Sequence, residues 1–273
     1  MIQDVLRWGR QYALPALGIS VIMIFAASIS YSLSAQNYSF TSMWGSKGSG
    51  EGEFNYPHSI AINQVGDVYV TDEKNHRVQQ FGSDGTLINM WGSEGSGDGQ
   101  FVSPEGIDTD SLGNVYVADI GNKRIQKFTG NGSFITKWGS EGIDNDQFSR
   151  HAHGIDIDNS NNVYVVDRFN NRVQKFTDNG TFITKWGSKG SGDGQFMEPA
   201  GIATDSSGYV YVVDKLNSNI QKFTDNGTFI TKWGSHGTDK GEIFGAEDLD
   251  LDSHGNVYVV DSRNSRIEQF SPD

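Results

Sequence analysis

The sequence predicts an all-β protein built as a five-bladed β-propeller, on three observations. Trp-Gly recurs at Trp44, Trp91, Trp138, Trp186 and Trp233, in steps of 47, 47, 48 and 47 residues. Tyr-Val-x-Asp recurs in phase with it, placing Asp72, Asp119, Asp167, Asp214 and Asp261. Between these markers lie short runs of β-branched and aromatic residues bounded by Gly, Asn and Asp. A period of about 40–50 residues made of short strands is the signature of one four-stranded blade per repeat.

The third copy shows how each strand is read. His153 to Asp158 alternates and is predicted as strand a, and Asn159 to Asn162 as a turn. Val163 to Val166 has the composition of strand b, and Arg172 to Thr177 that of strand c. Asn179-Gly180 suits a type I′ hairpin, whose two central residues both need positive φ. Thr181 to Trp186 is then strand d, and the Gly-rich stretch Gly187 to Gln195 leads to the next blade. The first d strand, Asn37 to Trp44, has no a, b and c strands before it, and the last set, Ala246 to Phe270, has no d strand after it. The simplest closure joins the two, so that the N-terminal strand completes the last blade and leaves no open sheet edge.

Composition narrows the function classes. The chain has 273 residues and no cysteine, which excludes a disulfide scaffold and any thiolate metal site. Its net charge of -13 argues against nucleic acid as a partner, because phosphate binding needs a basic patch. Residues 1–35 form a separate segment from the propeller of residues 36–273. Arg7 and Arg10 precede an uncharged run of 22 residues, Tyr12 to Leu33. As a helix it spans roughly 33 Å, close to the hydrocarbon thickness of a bilayer. It reads as a membrane anchor or as a signal peptide cleaved after Ala35. Either way the arginines stay inside and the propeller lies outside, at the cell membrane or secreted.

The repeat, with Pro-x-Gly-Ile-Ala, then Val-Tyr-Val-x-Asp-x-x-Asn-x-Arg-Ile-Gln-x-Phe, then Gly-x-Phe-x-x-x-Trp-Gly, resembles the NHL repeat from Tyr38 to Phe270. The resemblance implies a propeller and, for most members, a binding platform. The family includes RING-bearing ubiquitin ligases, RNA-binding regulators, extracytoplasmic sensor domains and the metal-dependent lyase that finishes peptide C-terminal amidation. The lack of cysteine removes the ligase reading.

Strand alternation sorts the loops into two faces. The d-to-a and b-to-c loops share an upper face, and the a-to-b and c-to-d loops share a lower one. Eleven residues before each tyrosine of Tyr-Val-x-Asp lie His58, Glu105, His153, Ala200 and Glu247. Propeller geometry places them around the upper mouth of the central channel, where two imidazoles and two carboxylates can hold zinc or a similar divalent ion. His58, within Pro57-His58-Ser59-Ile60-Ala61, resembles the zinc-ligand segment of the amidating lyase, and His153 occupies the equivalent place. That lyase uses three histidines. His151 lies outside the ring register, so Glu105 or Glu247 would have to substitute. Arg168 stands where the lyase has an active-site arginine, and its catalytic tyrosine has no counterpart.

Other recurring features have structural readings. The Asp-x-x-Asn-x-Arg set is expected to lock a turn, since Asp and Asn bond nearby amides. Asp108 with Asp110, Asp156 with Asp158, and Asp250 with Asp252 resemble the start of a calcium loop that lacks its later ligands. Gly48 to Gly52 and Gly95 to Gly99 precede no helix and no Gly-Lys-Ser/Thr, so they are blade linkers rather than phosphate cradles. Asn37, Asn131, Asn179 and Asn226 begin glycosylation sequons, three of them at Asn-Gly hairpins. The expected function is a non-catalytic platform for a protein, peptide or glycan ligand on the upper face. The alternative is a metal-dependent lyase or lactonase-like hydrolase at the channel mouth.

Overall fold

Five sheets are arranged as blades along the chain. The structure, a computed structural model, describes residues 41–272. The innermost strands a are Pro57–Ile62, Pro104–Thr109, Ala152–Ile157, Pro199–Thr204 and Ala246–Leu251. In the second blade, strands b, c and d are Val115–Asp119, Arg124–Phe128 and Phe134–Trp138, each antiparallel to its neighbour. The first, third and fourth blades repeat this order, and the fifth has three strands among the described residues. The fold is an all-β five-bladed propeller. Of the expected closing strand, residues 37–40 fall outside the described residues, and Thr41 to Trp44 carry no strand. The apolar run 12–33 also lies outside them, and among the described residues no helix is long and apolar enough to cross a membrane.

Alternation along each strand buries both faces of a blade. Tyr116, Ala118 and Ile125 of the second blade pack on Ile155, Val163, Val165 and Phe176 of the third. The same residue types form the cores between the other consecutive blades. The tryptophan that ends strand d seals the rim: Trp138 lies 6.3 Å from the Tyr116 ring and 5.9 Å from Phe176 of the next blade. Near the channel the strands a approach closely, and Gly154 is required there. A Cβ at Gly154 would sit 2.6 Å from the Ala200 carbonyl oxygen.

The Asp-x-x-Asn-x-Arg set does more than lock a turn. Asp72, Asp119, Asp167 and Asp261 each precede a short 3-10 turn, and their carboxylates take the following Asn and Arg. The arginine then reaches back to the linker that entered its own blade. Arg124 donates to the carbonyls of Ser96, Gly97 and Gln100 at 2.7, 2.8 and 2.7 Å. The linkers also carry pairing that the sequence did not suggest. Ser140–Glu141 lies parallel to Gln147–Phe148, and Glu94 bridges Phe101 in the same way.

The fourth blade keeps Asn217 on the Asp214 carboxylate but lacks the arginine, because Asn219 replaces it and its buried Oδ1 has no hydrogen-bond partner. Burial holds the Asp214 carboxyl above its usual range. Its folded-state pKa is raised, so ionising it at neutral pH costs stability. Asn219→Arg is expected to stabilise the protein by about 1 kcal/mol or more through charge-assisted bonds. Urea unfolding at pH 7 checks this, and an unchanged or lower midpoint contradicts it.

The c-to-d hairpins differ from the expected type I′ turn. Only the glycine has positive φ: Gly180 is at +86°, while Asn179 is not among the positive-φ residues. The Gly180 amide donates to Thr177 and the Thr177 amide to Thr181, with a register shift at Lys175/Phe176. That is a type I turn followed by a glycine bulge. The Asn179 side chain accepts from the Thr177 and Thr181 hydroxyls, which favours this turn. Asn131 and Asn226 do the same, so all three described sequon asparagines sit in lower-face turns.

Candidate metal centre

Strand a begins at the upper face, so the residue just after its start is carried to the channel mouth. His58, Glu105 and His153 meet there. One ligand atom from each lies within 4.8 Å of the others. Glu105 is buried, with 6% of its surface exposed. Its backbone is fixed by the first blade, whose Thr71 hydroxyl donates to the Glu105 carbonyl at 2.7 Å. Its carboxylate Oε2 stands 3.9 Å from His58 Nε2, 3.9 Å from His153 Nε2 and 3.6 Å from His151 Nδ1.

None of these approaches is a hydrogen bond. Glu105 Oε2, His151 Nδ1 and His153 Nδ1 are buried without a partner. A buried carboxylate oxygen that faces three imidazole nitrogens without bonding any of them is costly unless something bridges them. The protonation states fit that picture. Burial, then repulsion from Glu73, pushes the Glu105 carboxyl up to about 7. Burial lowers His58 and His151, and it takes His153 down to about 3, so the imidazoles are neutral ligands at pH 7. Two imidazoles and a carboxylate are a donor set for zinc or a similar transition ion, and too nitrogen-rich for calcium.

His151 reaches the site by a device the repeat register hides. Four residues separate the linker phenylalanine or isoleucine from the mouth position in the other blades, as from Phe101 to Glu105, but five separate Phe148 from His153. In the other blades the residue before strand a is left-handed: Tyr56, Ser103, Glu198 and Gly245 all have positive φ. The third blade has no left-handed residue at that point, and the extra residue carries His151 over the mouth. Its ring stacks on His153 at 6.2 Å, and Phe169 packs edge-on against it at 5.3 Å. The Arg168 amide donates to the His151 carbonyl at 3.0 Å, tying this loop to the b-to-c turn. The 48-residue step marked the third copy as irregular, but not where the extra residue falls.

Arg168 and Glu247 sit at the rim of the cluster. Arg168 pairs with Glu198 at 3.2 Å and approaches Glu247 at 4.0 Å, and its Nε is buried without a partner. Glu247 is held by Lys215 and stands outside the three-residue group. Below the mouth a channel cavity of about 670 Å³ runs between the strands a. Asp108 and Asp156 line it, and burial raises both carboxyls, Asp108 to about 7. The second aspartates of the recurring pairs make turns. Asp110 takes the Leu112 and Asn114 amides and the Tyr116 hydroxyl, and Asp158 and Asp252 do likewise.

Comparison with known proteins agrees with this fold. The NHL repeat family matches residues 54–81 and 101–128, and a family described as a 6-bladed beta-propeller matches residues 144–220. No curated protein matches the chain. Among solved structures, a streptogramin B lyase is similar at 16% identity and TM-score 0.56, over 79% of this chain and 68% of that one. A catalytically inactive virginiamycin B lyase from Staphylococcus aureus, with quinupristin, is similar at 15% identity and TM-score 0.58, over 82% and 71%. A protein of unknown function from Bacteroides thetaiotaomicron is similar at 17% identity and TM-score 0.58, over 78% and 58%. At such identities the similarity is one of fold.

Proposed function

The chain carries NHL repeats folded as a β-propeller, and on that premise we propose that it is a ligand-binding module whose upper-face site is built around a divalent metal ion. The observation that carries this reading is the buried, unpartnered Glu105 Oε2 set among His58, His153 and His151. His58 Nε2, His153 Nε2 and a Glu105 oxygen would hold the ion, with His151 beside it. The ligand is a protein, peptide or glycan met on the upper face, where Arg168, Arg150 and Phe169 surround the mouth. Arg150 lies over the Phe169 ring at 4.9 Å. The apolar run 12–33, with Arg7 and Arg10 before it, supports a propeller held outside the cell membrane.

Elemental analysis of the purified full-length protein in a mild detergent tests the site. About one zinc-class ion per chain is expected, lost in the His58→Ala, His153→Ala double variant. A metal-free wild type that also fails to take up added zinc rejects the proposal.

A second reading, a metal-dependent lyase or lactonase-like hydrolase, is favoured by one observation. Arg168, whose buried Nε has no partner, stands at the rim of the His58, Glu105 and His153 group, where it is placed to stabilise negative charge developing on a substrate oxygen. The lyases among the similar structures are in keeping with it. Turnover of a peptidyl-hydroxyglycine or a lactone by the metal-loaded protein, absent in the double variant, would decide for the enzyme.

A further inference from the structure

On the lower face, the second, third and fourth blades each hold a lysine ammonium against a tyrosine of Tyr-Val-x-Asp. Lys127 Nζ lies 4.9 Å from the centre of the Tyr116 ring, Lys175 Nζ 5.0 Å from that of Tyr164, and Lys222 Nζ 4.8 Å from that of Tyr211. Two of these ammonium groups also tie one blade to the next. Lys127 donates to the Asp178 carbonyl at 3.1 Å, and Lys175 to the Asp225 carbonyl at 3.2 Å. Lys127 Nζ also stands 3.6 Å from the Asp110 carboxylate of its own blade. The junction between the first and second blades keeps the tyrosine bond of this arrangement, with the Tyr69 hydroxyl donating to the Gly130 carbonyl at 3.1 Å. It lacks the ammonium. Gln80 stands in the place of the lysine and Gly130 in that of the aspartate. The turn before it carries Asn63 and Asp67 where the second blade has Asp110 and Asn114.

A cavity of about 570 Å³ opens at this junction, lined by Asp67, Gln80 and Gly130 and by the exposed apolar side chains of Val65, Ile88 and Leu112. Gln80 Nε2 donates to Asp67 Oδ2 at 3.0 Å and to the Tyr69 hydroxyl at 3.3 Å. Its Oε1 is buried without a partner, in a residue only 6% exposed. Such an acceptor is costly unless a donor reaches it. The Asp67 carboxylate is met by two neutral amides, from Asn63 and Gln80, and no lysine or arginine pairs with it among the described residues. We propose that this cavity binds a primary ammonium group on an aliphatic stem, carried by a lysine side chain of a peptide or by a free alkyl amine. The bound ammonium takes the part that each of the next three blades gives to its own lysine. It donates to Gln80 Oε1 and to the Asp67 carboxylate, whose single charge it neutralises. The stem lies against Val65, Ile88 and Leu112. The site is on the face opposite the channel mouth and shares no residue with the metal centre, so it stands or falls independently of it.

The test uses the isotope-labelled full-length protein in a mild non-ionic detergent at fixed ionic strength. N-acetyl-lysine-N-methylamide or n-butylamine is titrated in while the side-chain amide NMR signals of Asn63, Gln80 and Asn89 are followed. Saturable shifts are expected with at least one of the two amines. Tighter binding of the lysine derivative assigns the site to a peptide lysine, and equal or tighter binding of butylamine assigns it to a free amine. The norleucine derivative, with the same stem and no ammonium, should produce no saturable shift. Asp67→Asn should weaken amine binding about tenfold or more. Gln80→Lys should abolish it and raise the thermal unfolding midpoint, because the chain then supplies its own ammonium as the next three blades do. If Gln80→Lys fails to fold, Asp67→Asn and the norleucine derivative still decide. No saturable shift with either amine, equal binding of the norleucine derivative, or wild-type amine affinity in either variant would overturn the proposal.

Discussion

Replacing Arg172 with alanine is expected to destabilise the protein by about 3–5 kcal/mol, the cost of breaking a buried ion pair from one side. Arg172 Nε lies 2.8 Å from Asp167 Oδ2, with side-chain exposures of 7% and 0%. Its guanidinium also donates to the carbonyls of Ile143, Asp144 and Gln147 at 2.6, 2.9 and 2.7 Å. Alanine would leave a buried carboxylate without its charge partner and the Ile143 carbonyl of the third linker without a donor, while the Gln147 carbonyl would keep only the Gln174 side-chain amide. That linker leads directly into His151 and His153, so metal affinity should fall with stability. Arg266 holds the same place in the fifth blade but is 28% exposed, so Arg266→Ala should cost less. Urea unfolding of both variants measures the difference, and equal costs would contradict the burial argument.

Zinc affinity is expected to rise with pH up to about 7 and then level off, because Glu105 must lose its proton to bind a cation. Below that point each pH unit should weaken binding by up to about tenfold. His153, held down at about 3, contributes no step in this range. Glu105→Gln should remove the pH step. It should also weaken binding by more than the about 10–100-fold that loss of a supporting partner costs. Chelator competition between pH 5.5 and 8 reads both effects, and a glutamine variant with wild-type affinity and slope would exclude Glu105 as a ligand. For the metal-free protein the sign is opposite. A carboxyl raised in the fold gives stability that is fully present below its usual range and is lost as pH rises through about 7.

The blades were legible because their determinants are local. Tyr-Val-x-Asp and the Asn-Gly hairpins specify strands and turns within a few residues, and each recurs. The mouth positions of His58, Glu105 and His153 followed from one register counted back from a tyrosine. His151 was placed outside that register because one inserted residue changes which side chain faces the channel, and a residue count does not locate the insertion. The hairpins departed from type I′ because the asparagine side chain bonds the flanking threonines, an interaction that the Asn-Gly dipeptide alone does not reveal. The pairing within the linkers was hidden for a related reason: glycine-rich segments have no alternating pattern to show which residues face each other. The exposure of Ile60 was illegible, since Ile60 and Ile107 hold the same place in the repeat yet are 61% and 4% exposed.

The most direct test of the metal centre is anomalous diffraction at the zinc edge from crystals of the full-length protein grown with zinc. The account predicts one strong peak at the channel mouth, bonded to His58 Nε2, His153 Nε2 and a Glu105 oxygen at about 2.0–2.2 Å. A mouth without a peak, or zinc bound only to surface residues such as His254, would contradict it.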